Sequence, residues 1–170
     1  MSLIKSISGI RGTIGGKVGD NLTPLDVVKF TSAFGSWLQN NKGKKDLTLV
    51  IGRDARISGQ MVSSLVSATL QGLGIHVIDL GLSTTPTVEV MVPELGADGG
   101  IILTASHNPK QWNALKLLNE KGEFIKQEEY NYKMPLEKAL RIIRRIYGYK
   151  QENLTVYLSA DKERWYFENI

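Results

Sequence analysis

Cysteine is absent from this chain. With it go disulfides, a thiol nucleophile and any thiolate metal site, and the absence fits a reducing compartment. Histidine is scarce: His76 and His107 are the whole supply, and two residues so far apart make a poor metal site. No apolar run approaches the roughly 20 residues of a membrane span. The N-terminal MSLIKSISGIRG lacks the apolar core of a secretion signal. These absences set the expectation of a cytoplasmic protein without a membrane partner. Charge of one sign is also in short supply. A net charge of +4 over 170 residues admits anionic ligands without demanding a polyanion. The basic stretches are not interleaved with aromatic residues, so no nucleic-acid partner is expected. Three catalytic signatures are missing as well. There is no Gly-x-Ser-x-Gly elbow, which argues against a serine hydrolase. No Gly-x-Gly-x-x-Gly follows a strand, and Gly12–Val18 (GTIGGKV) has the wrong spacing for a P-loop.

What is present reads as an α/β domain. Thr23-Pro24-Leu25-Asp26 is a helix start, with threonine as cap, proline in the first turn and aspartate near the free amides. Val27, Phe30, Phe34, Trp37 and Leu38 then recur at helical spacing, until Asn40–Lys45 (NNKGKK) ends the helix. Leu47–Gly52 is a short buried strand. Ser58 is expected to cap a second helix with Val62, Val66 and Leu70 on one stripe, closed by Gly72 and Gly74. Ile75–Leu80 is a strand with His76 as a core or face residue. Thr85-Pro86 opens a short helix that Pro93 limits. Gly99–Ala105 is a third buried strand, and Leu115–Leu118 with Phe124-Ile125 form a hairpin about Asn119–Gly122. Apolar strands alternating with helices predict a three-layer α/β/α sandwich with a mixed, mainly parallel sheet. Ligands gather outside the C-terminal strand ends of such sheets. Arg53-Asp54 and Ser106 fall at two of them.

The stretch TASHNPKQWNALK, residues 104–116, carries the chemistry. A serine on the turn leaving a buried strand is exposed while its main chain is held, which suits a nucleophile or a phosphate carrier. His107 and Asn108 add polar groups, and Pro109 stiffens the exit. Lys116 is a cation able to stabilise phosphoryl charge or move a proton. Taken as a tetrapeptide, Ser-His-Asn-Pro is equally a polar turn. Other polar clusters have plain readings beside the functional ones. Arg11 lies in SGIRGTIGG, whose glycines suit an anion-cupping loop or a flexible turn. Arg53, Asp54 and Arg56 read as a salt-linked loop, because a phospho-accepting Asp54 lacks its companion acidic pair. Lys42, Lys44 and Lys45 read as a solvated loop, and Arg141, Arg144 and Arg145 as the wet face of a helix.

The full string settles the balance. Thr104-Ala105-Ser106-His107-Asn108-Pro109, with Asn113 and Lys116, resembles the phosphoserine loop of the α-D-phosphohexomutases, the superfamily of phosphoglucomutase, phosphomannomutase and phosphoglucosamine mutase. Ser8-Gly9-Ile10-Arg11-Gly12, Gly52-Arg53-Asp54-Ala55-Arg56-Ile57-Ser58 and Gly81-Leu82-Ser83-Thr84-Thr85-Pro86 resemble three further signatures of that family, in the family's order. Together they span roughly residues 4–125, the first of its four domains. The resemblance implies that Ser106 carries a phosphate and passes it to a hexose 1- or 6-phosphate by way of a bisphosphate. Lys116 would be the acid/base lysine, His107 a neighbour of the transferring group, and Arg11 and Asn108 phosphate contacts. Mg²⁺ would bind a phosphoserine oxygen on Ser106 together with three aspartates, and a hexose 1,6-bisphosphate would act as activator. Charge neutralisation of this kind is what phosphoryl transfer chiefly needs.

The family's Asp-Gly-Asp-x-Asp-Arg metal loop, its Gly-Glu-x-Ser-Gly sugar loop and its distal phosphate loop do not occur in this sequence. The expectation is therefore an incomplete mutase, inactive alone, whose partners are a hexose phosphate and the missing domains. A second reading is a non-catalytic sugar-phosphate-binding or protein-interaction domain. A third is self-association through uncovered interdomain surface. Composition changes near residue 126: all six tyrosines follow it, and sixteen of the seventeen glycines precede it. Residues 1–125 read as the catalytic-type domain and 126–170 as a distinct tail. That tail is expected to hold a helix after Pro135, with Leu136, Leu140, Ile143 and Tyr147 on one face, and a strand at Leu154–Leu158. It reads either as the foreign end of a truncated or frame-disrupted gene or as a genuine divergent end, and the apolar stripe favours the second.

Overall fold

The computed structural model describes residues 2–6, 8–44 and 46–125, and the main chain of Leu154–Leu158 and Trp165–Asn169. The chain divides into two compact units, Met1–Tyr130 and Asn131–Ile170. In the first, six strands form one sheet: β1 (Ile4–Ser6), β2 (Gly9–Thr13), β3 (Thr48–Arg53), β4 (His76–Leu82), β5 (Gly99–Leu103) and β6 (Trp112–Leu118). Their order across the sheet is β1-β2-β6-β5-β3-β4. In the second unit, β7 (Leu154–Leu158) and β8 (Trp165–Asn169) pair antiparallel. The first of these is the strand expected there. The helix expected after Pro135, with its arginines, lies outside the described residues.

Three helices cover the sheet: α1 (Pro24–Lys42), α2 (Gly59–Gly72) and α3 (Thr85–Glu94). Helix α1 starts where the sequence places it. Thr23 and Asp26 form a reciprocal capping box, and Gly43 ends the helix with φ +63. Val27, Phe34 and Leu38 of α1 join Val62, Val66 and Leu70 of α2 over Leu49, Ile51, Ile101, Leu103, Leu115 and Leu117 of the sheet. On the opposite face, Val88 and Val92 of α3 pack on Val50, Ile102 and Leu118. The alternation of these two sets along β3, β5 and β6 is the period-two signature of a sheet buried on both faces. Two cores on two faces make the three-layer α/β/α arrangement.

Several expectations need correction. The sheet is mixed, but parallel pairing is confined to β5-β3-β4, while β1-β2, β2-β6 and β6-β5 are antiparallel. A mainly parallel sheet therefore describes only one half. The SGIRG segment is not a flexible turn, since residues 9–13 are a ladder strand paired to β6. Ser58 precedes α2 but makes no side-chain cap; its hydroxyl instead accepts from the Asn113 amide at 2.9 Å. Of the two readings of His76, the face residue holds and the core residue does not: it is exposed, and its ring lies 2.9 Å from Asp46. Lys42 and Lys44 are not simply solvated. They pair with Glu120 at 3.0 Å and Asp98 at 2.6 Å, and Lys45 lies outside the described residues.

Candidate functional site

Strands β2, β3, β4 and β5 run in one direction and β6 against them. The C-terminal ends Thr13, Arg53, Leu82 and Leu103 and the start of β6 at Trp112 therefore share one edge of the sheet. The loop of residues 104–111 crosses that edge. It is flanked on one side by the glycine-rich segment after β2, where Ile14 N donates to Gln111 O at 2.9 Å. On the other side it meets the β3–α2 loop, where Asp54 N donates to Leu103 O at 3.2 Å.

Ser106 is exposed and has φ +54, the only positive φ of a non-glycine among the described residues. That conformation costs an ordinary residue about 1–3 kcal/mol and persists only where surroundings impose it. Here they do. Ser106 N donates to Thr104 Oγ1 at 3.0 Å, and Thr104 Oγ1 donates to Asp54 Oδ2 at 2.5 Å. Asp54 also accepts from Arg56 N at 3.0 Å and Arg56 Nε at 3.1 Å. The Arg56 guanidinium then reaches into the serine loop. Nη2 donates to Ser106 O at 2.7 Å and Asn108 O at 2.9 Å, and Nη1 to Pro109 O at 2.9 Å and Trp112 O at 3.0 Å. The salt-linked reading holds for Asp54 and Arg56 but not for Arg53, whose guanidinium donates to Gln60 Oε1 at 2.8 Å and to Asp54 O at 3.3 Å. The larger part of Arg56, the grip on the serine loop, was not legible, because carbonyl oxygens look alike in every sequence. Ser106 Oγ has no hydrogen-bond partner among the described residues and stands free at the rim.

The other candidates are placed as follows. His107 is exposed beside Ser106. Asn108 closes the turn, with both its N and its Nδ2 donating to Ala105 O, at 3.0 and 2.8 Å. One of the two Nδ2 donors is therefore occupied by the turn. Arg11 pairs with Ala114 across the β2–β6 ladder, and Lys116 is two residues along β6, opposite Ile102 of β5. Side chains two apart on a strand share a face, so Arg11 and Lys116 lie together on the α3 side of the sheet. Arg11 Nε is a buried donor without an acceptor, as a group waiting for an anion would be. Lys116 runs along Gly9 and places its ammonium 5.7 Å from the Phe124 ring centroid, within cation–π range. The structure thus brings Arg11 and Lys116 to one face, and Ser106, His107 and Asn108 to the edge of the same sheet.

Among the described residues no three of His, Asp and Glu come together as a metal site. Ser106 is the one candidate ligand, and a single serine oxygen does not hold Mg²⁺, which takes carboxylates or phosphates together with its waters. The described residues therefore do not fit a self-contained magnesium site.

Comparison with known proteins agrees with this geometry. Residues 3–132 match the family Phosphoglucomutase/phosphomannomutase, alpha/beta/alpha domain I. A phosphoglucomutase/phosphomannomutase of Thermococcus kodakarensis is 38% identical over 119 residues, covering 69% of this chain and 26% of that protein. A phosphoglucosamine/phosphogalactosamine mutase of Sulfurisphaera tokodaii is 34% identical over 131 residues, covering 77% and 27%. Among solved structures, a protein described as a phosphomannomutase from Thermus thermophilus superposes with a TM-score of 0.66 at 30% identity, over 76% of this chain and 28% of the other. A phosphoglucomutase/phosphomannomutase family protein from Burkholderia thailandensis gives 0.61 at 25% identity, over 82% and 29%. The chain spans about a quarter of the length of these curated relatives. With the strand order, the two-sided core and the Ser106 loop at the shared strand ends, this places the chain in the phosphoglucomutase/phosphomannomutase family, as its α/β/α domain I.

Proposed function

We propose that this chain is the phosphoserine-bearing domain of a phosphohexomutase. The observation that carries the reading is Ser106: a free hydroxyl on a main chain forced into φ +54 by a network of buried and half-buried polar groups. In the phosphorylated state, the bond from Ser106 Oγ to phosphorus breaks as a hydroxyl oxygen of a hexose phosphate bonds to that phosphorus. The sugar hydroxyl loses its proton and Ser106 Oγ gains one, leaving a hexose bisphosphate. The reverse step, on the other phosphate, restores phosphoserine and releases the isomeric monophosphate. Lys116 serves as the proton carrier of these steps, and His107 stands beside the group in flight. Arg11, with its unpartnered Nε, neutralises charge on the phosphoryl oxygens. Cationic groups and preorganised donors supply most of what phosphoryl transfer requires.

The distal phosphate and the sugar hydroxyls need contacts that this sheet edge does not offer alone. Turnover therefore belongs to a larger assembly, with residues 1–125 as one part of its site and 126–170 as a separate tail. The test has two arms. Incubation of the purified chain with a hexose 1,6-bisphosphate should add one phosphate by intact mass, mapped to Ser106 and lost in Ser106→Ala. A coupled isomerisation assay on the same chain should show no turnover. Absence of phosphate on Ser106 refutes the carrier role, and a normal turnover rate refutes the division of labour. A second reading is a binding module that keeps the serine loop without catalysis. Calorimetric binding of hexose monophosphates with no phosphate on Ser106 would establish it instead.

A further inference from the structure

We infer that Arg56 is the positioning residue that sets the conformation of Ser106, and that it is not itself a phosphate ligand. This rests on the reading of Ser106 as the phosphate carrier. A guanidinium has five N–H donors in a fixed plane. All five are spent here: Nε on Asp54, two on Ser106 O and Asn108 O, and two on Pro109 O and Trp112 O. No donor is left for a ligand, although an arginine next to a phosphate-bearing serine would ordinarily be read as an anion contact. The side chain is only 11% exposed, so its charge is held by Asp54 within the protein rather than by solvent.

The geometry also says what the grip accomplishes. Four carbonyl oxygens from residues 106–112 converge on one planar cation, so this run of main chain is bent around Arg56 with its oxygens turned toward the guanidinium. The one positive φ of a non-glycine among the described residues falls within this run, at Ser106. The same Asp54 that orients Arg56 also takes the hydroxyl of Thr104, whose oxygen receives Ser106 N–H. Ser106 is thereby fixed on both sides of its Cα, at N–H through Thr104 and Asp54, and at C=O through Arg56. Lysine cannot replace this arrangement, since its ammonium has three donors on a single atom and no plane to spread over four oxygens.

The experiment is solution NMR on the full 170-residue chain. The readout is the backbone coupling and Cα shift of Ser106, which distinguish the left-handed conformation from extended or right-handed backbone. Arg56→Ala and Arg56→Lys are both expected to lose the left-handed signature while amides of β3, β5 and α2 keep their positions. Ile57→Ala, at the exposed neighbour, is expected to keep it. Guanidinium ion well below denaturing concentration should restore the signature in Arg56→Ala, and sodium at equal ionic strength should not. Should Arg56→Ala fail to fold, Arg56→Lys decides, because it retains the charge opposite Asp54. A left-handed Ser106 in Arg56→Lys overturns the proposal, as does sodium restoring the signature as well as guanidinium does. Phosphate uptake by the parent chain is scored separately. Its failure would refute the carrier reading and leave the conformational result standing.

Discussion

Replacing Gly9 by alanine places three effects on one position of β2. Gly9 has φ +115, a region that costs an L-residue about 1–3 kcal/mol. The added Cβ would stand 2.7 Å from Leu115 O and 3.1 Å from Lys116 Cγ. The lysine stem can move, but the carbonyl is main chain of β6 and sits in the β2–β6 ladder, so crowding adds about 1–3 kcal/mol. Lower entropy of the unfolded chain returns about 0.4–1 kcal/mol. The net expectation is a loss of about 1–6 kcal/mol, a large part of the 5–15 kcal/mol of an ordinary domain. Gly43→Ala is the matched control. Gly43 has φ +63 with nothing within 4 Å of a new Cβ, so it bears only the left-handed cost of about 1–2 kcal/mol, less the same entropic return. Urea unfolding of both variants at unchanged m-value is the assay. Gly9→Ala should fall below Gly43→Ala by at least about 1 kcal/mol, which is the crowding contribution. Equal losses would refute the close approach of β2 to β6, and with it the packing of Lys116 along Gly9.

Three other outcomes are expected. Thr104→Val removes the hydroxyl between Asp54 and Ser106 N and should cost about 1–3 kcal/mol by urea midpoint, whereas Thr104→Ser, which keeps the hydroxyl, should cost less. Leu49→Ala, at a fully buried position of β3, should cost about 2–5 kcal/mol, while Leu25→Ala on the exposed side of α1 should stay within about 0.5 kcal/mol of the parent. Glu120 is held below the usual glutamate range, first by the hydrogen bond from its own backbone amide and then by Lys42. A depressed carboxyl contributes stability above its unfolded pKa and loses it as pH falls through the folded value. Because the pair is partly exposed, at 27% for Lys42 and 48% for Glu120, and so screened by solvent, Lys42→Met should remove no more than about 0.5 kcal/mol of acid-dependent stability, read from urea midpoints at neutral and acid pH.

Local chemistry made some elements legible and distance hid the others. Helix α1 announced itself because Thr23, Pro24 and Asp26 act on one another within a single turn. The Ser106 loop was legible as a string, since the residues that shape it include its own Thr104 and Asn108. Strand β2 was not, because its glycines look like turn signals. Their reason is tertiary: Gly9 faces Leu115 and Lys116, and Gly12 faces Leu22. Ser58 stood where a cap belongs, yet its hydroxyl serves Asn113, 55 positions away. Arg56 was visible only as half of an ion pair. Its other acceptors are main-chain oxygens 50 to 56 residues distant, and no side-chain pattern reports on them. The sheet's antiparallel half was concealed for the same reason. Whether β6 runs with or against β5 is decided by the pairing itself, not by the apolar character of either strand.

Among the described residues, the hydrogen bonds that hold Ser106 in place come from residues 54–112 of this one domain. In a site assembled from several domains, a disordered reactive loop would be ordered at the moment of closure, at a cost of about 1–2 kcal/mol per residue in main-chain entropy. Here that ordering is completed when the domain folds. Under the proposed carrier reading, none of that ordering would be left to a complementary domain, and the serine would meet it already facing outward.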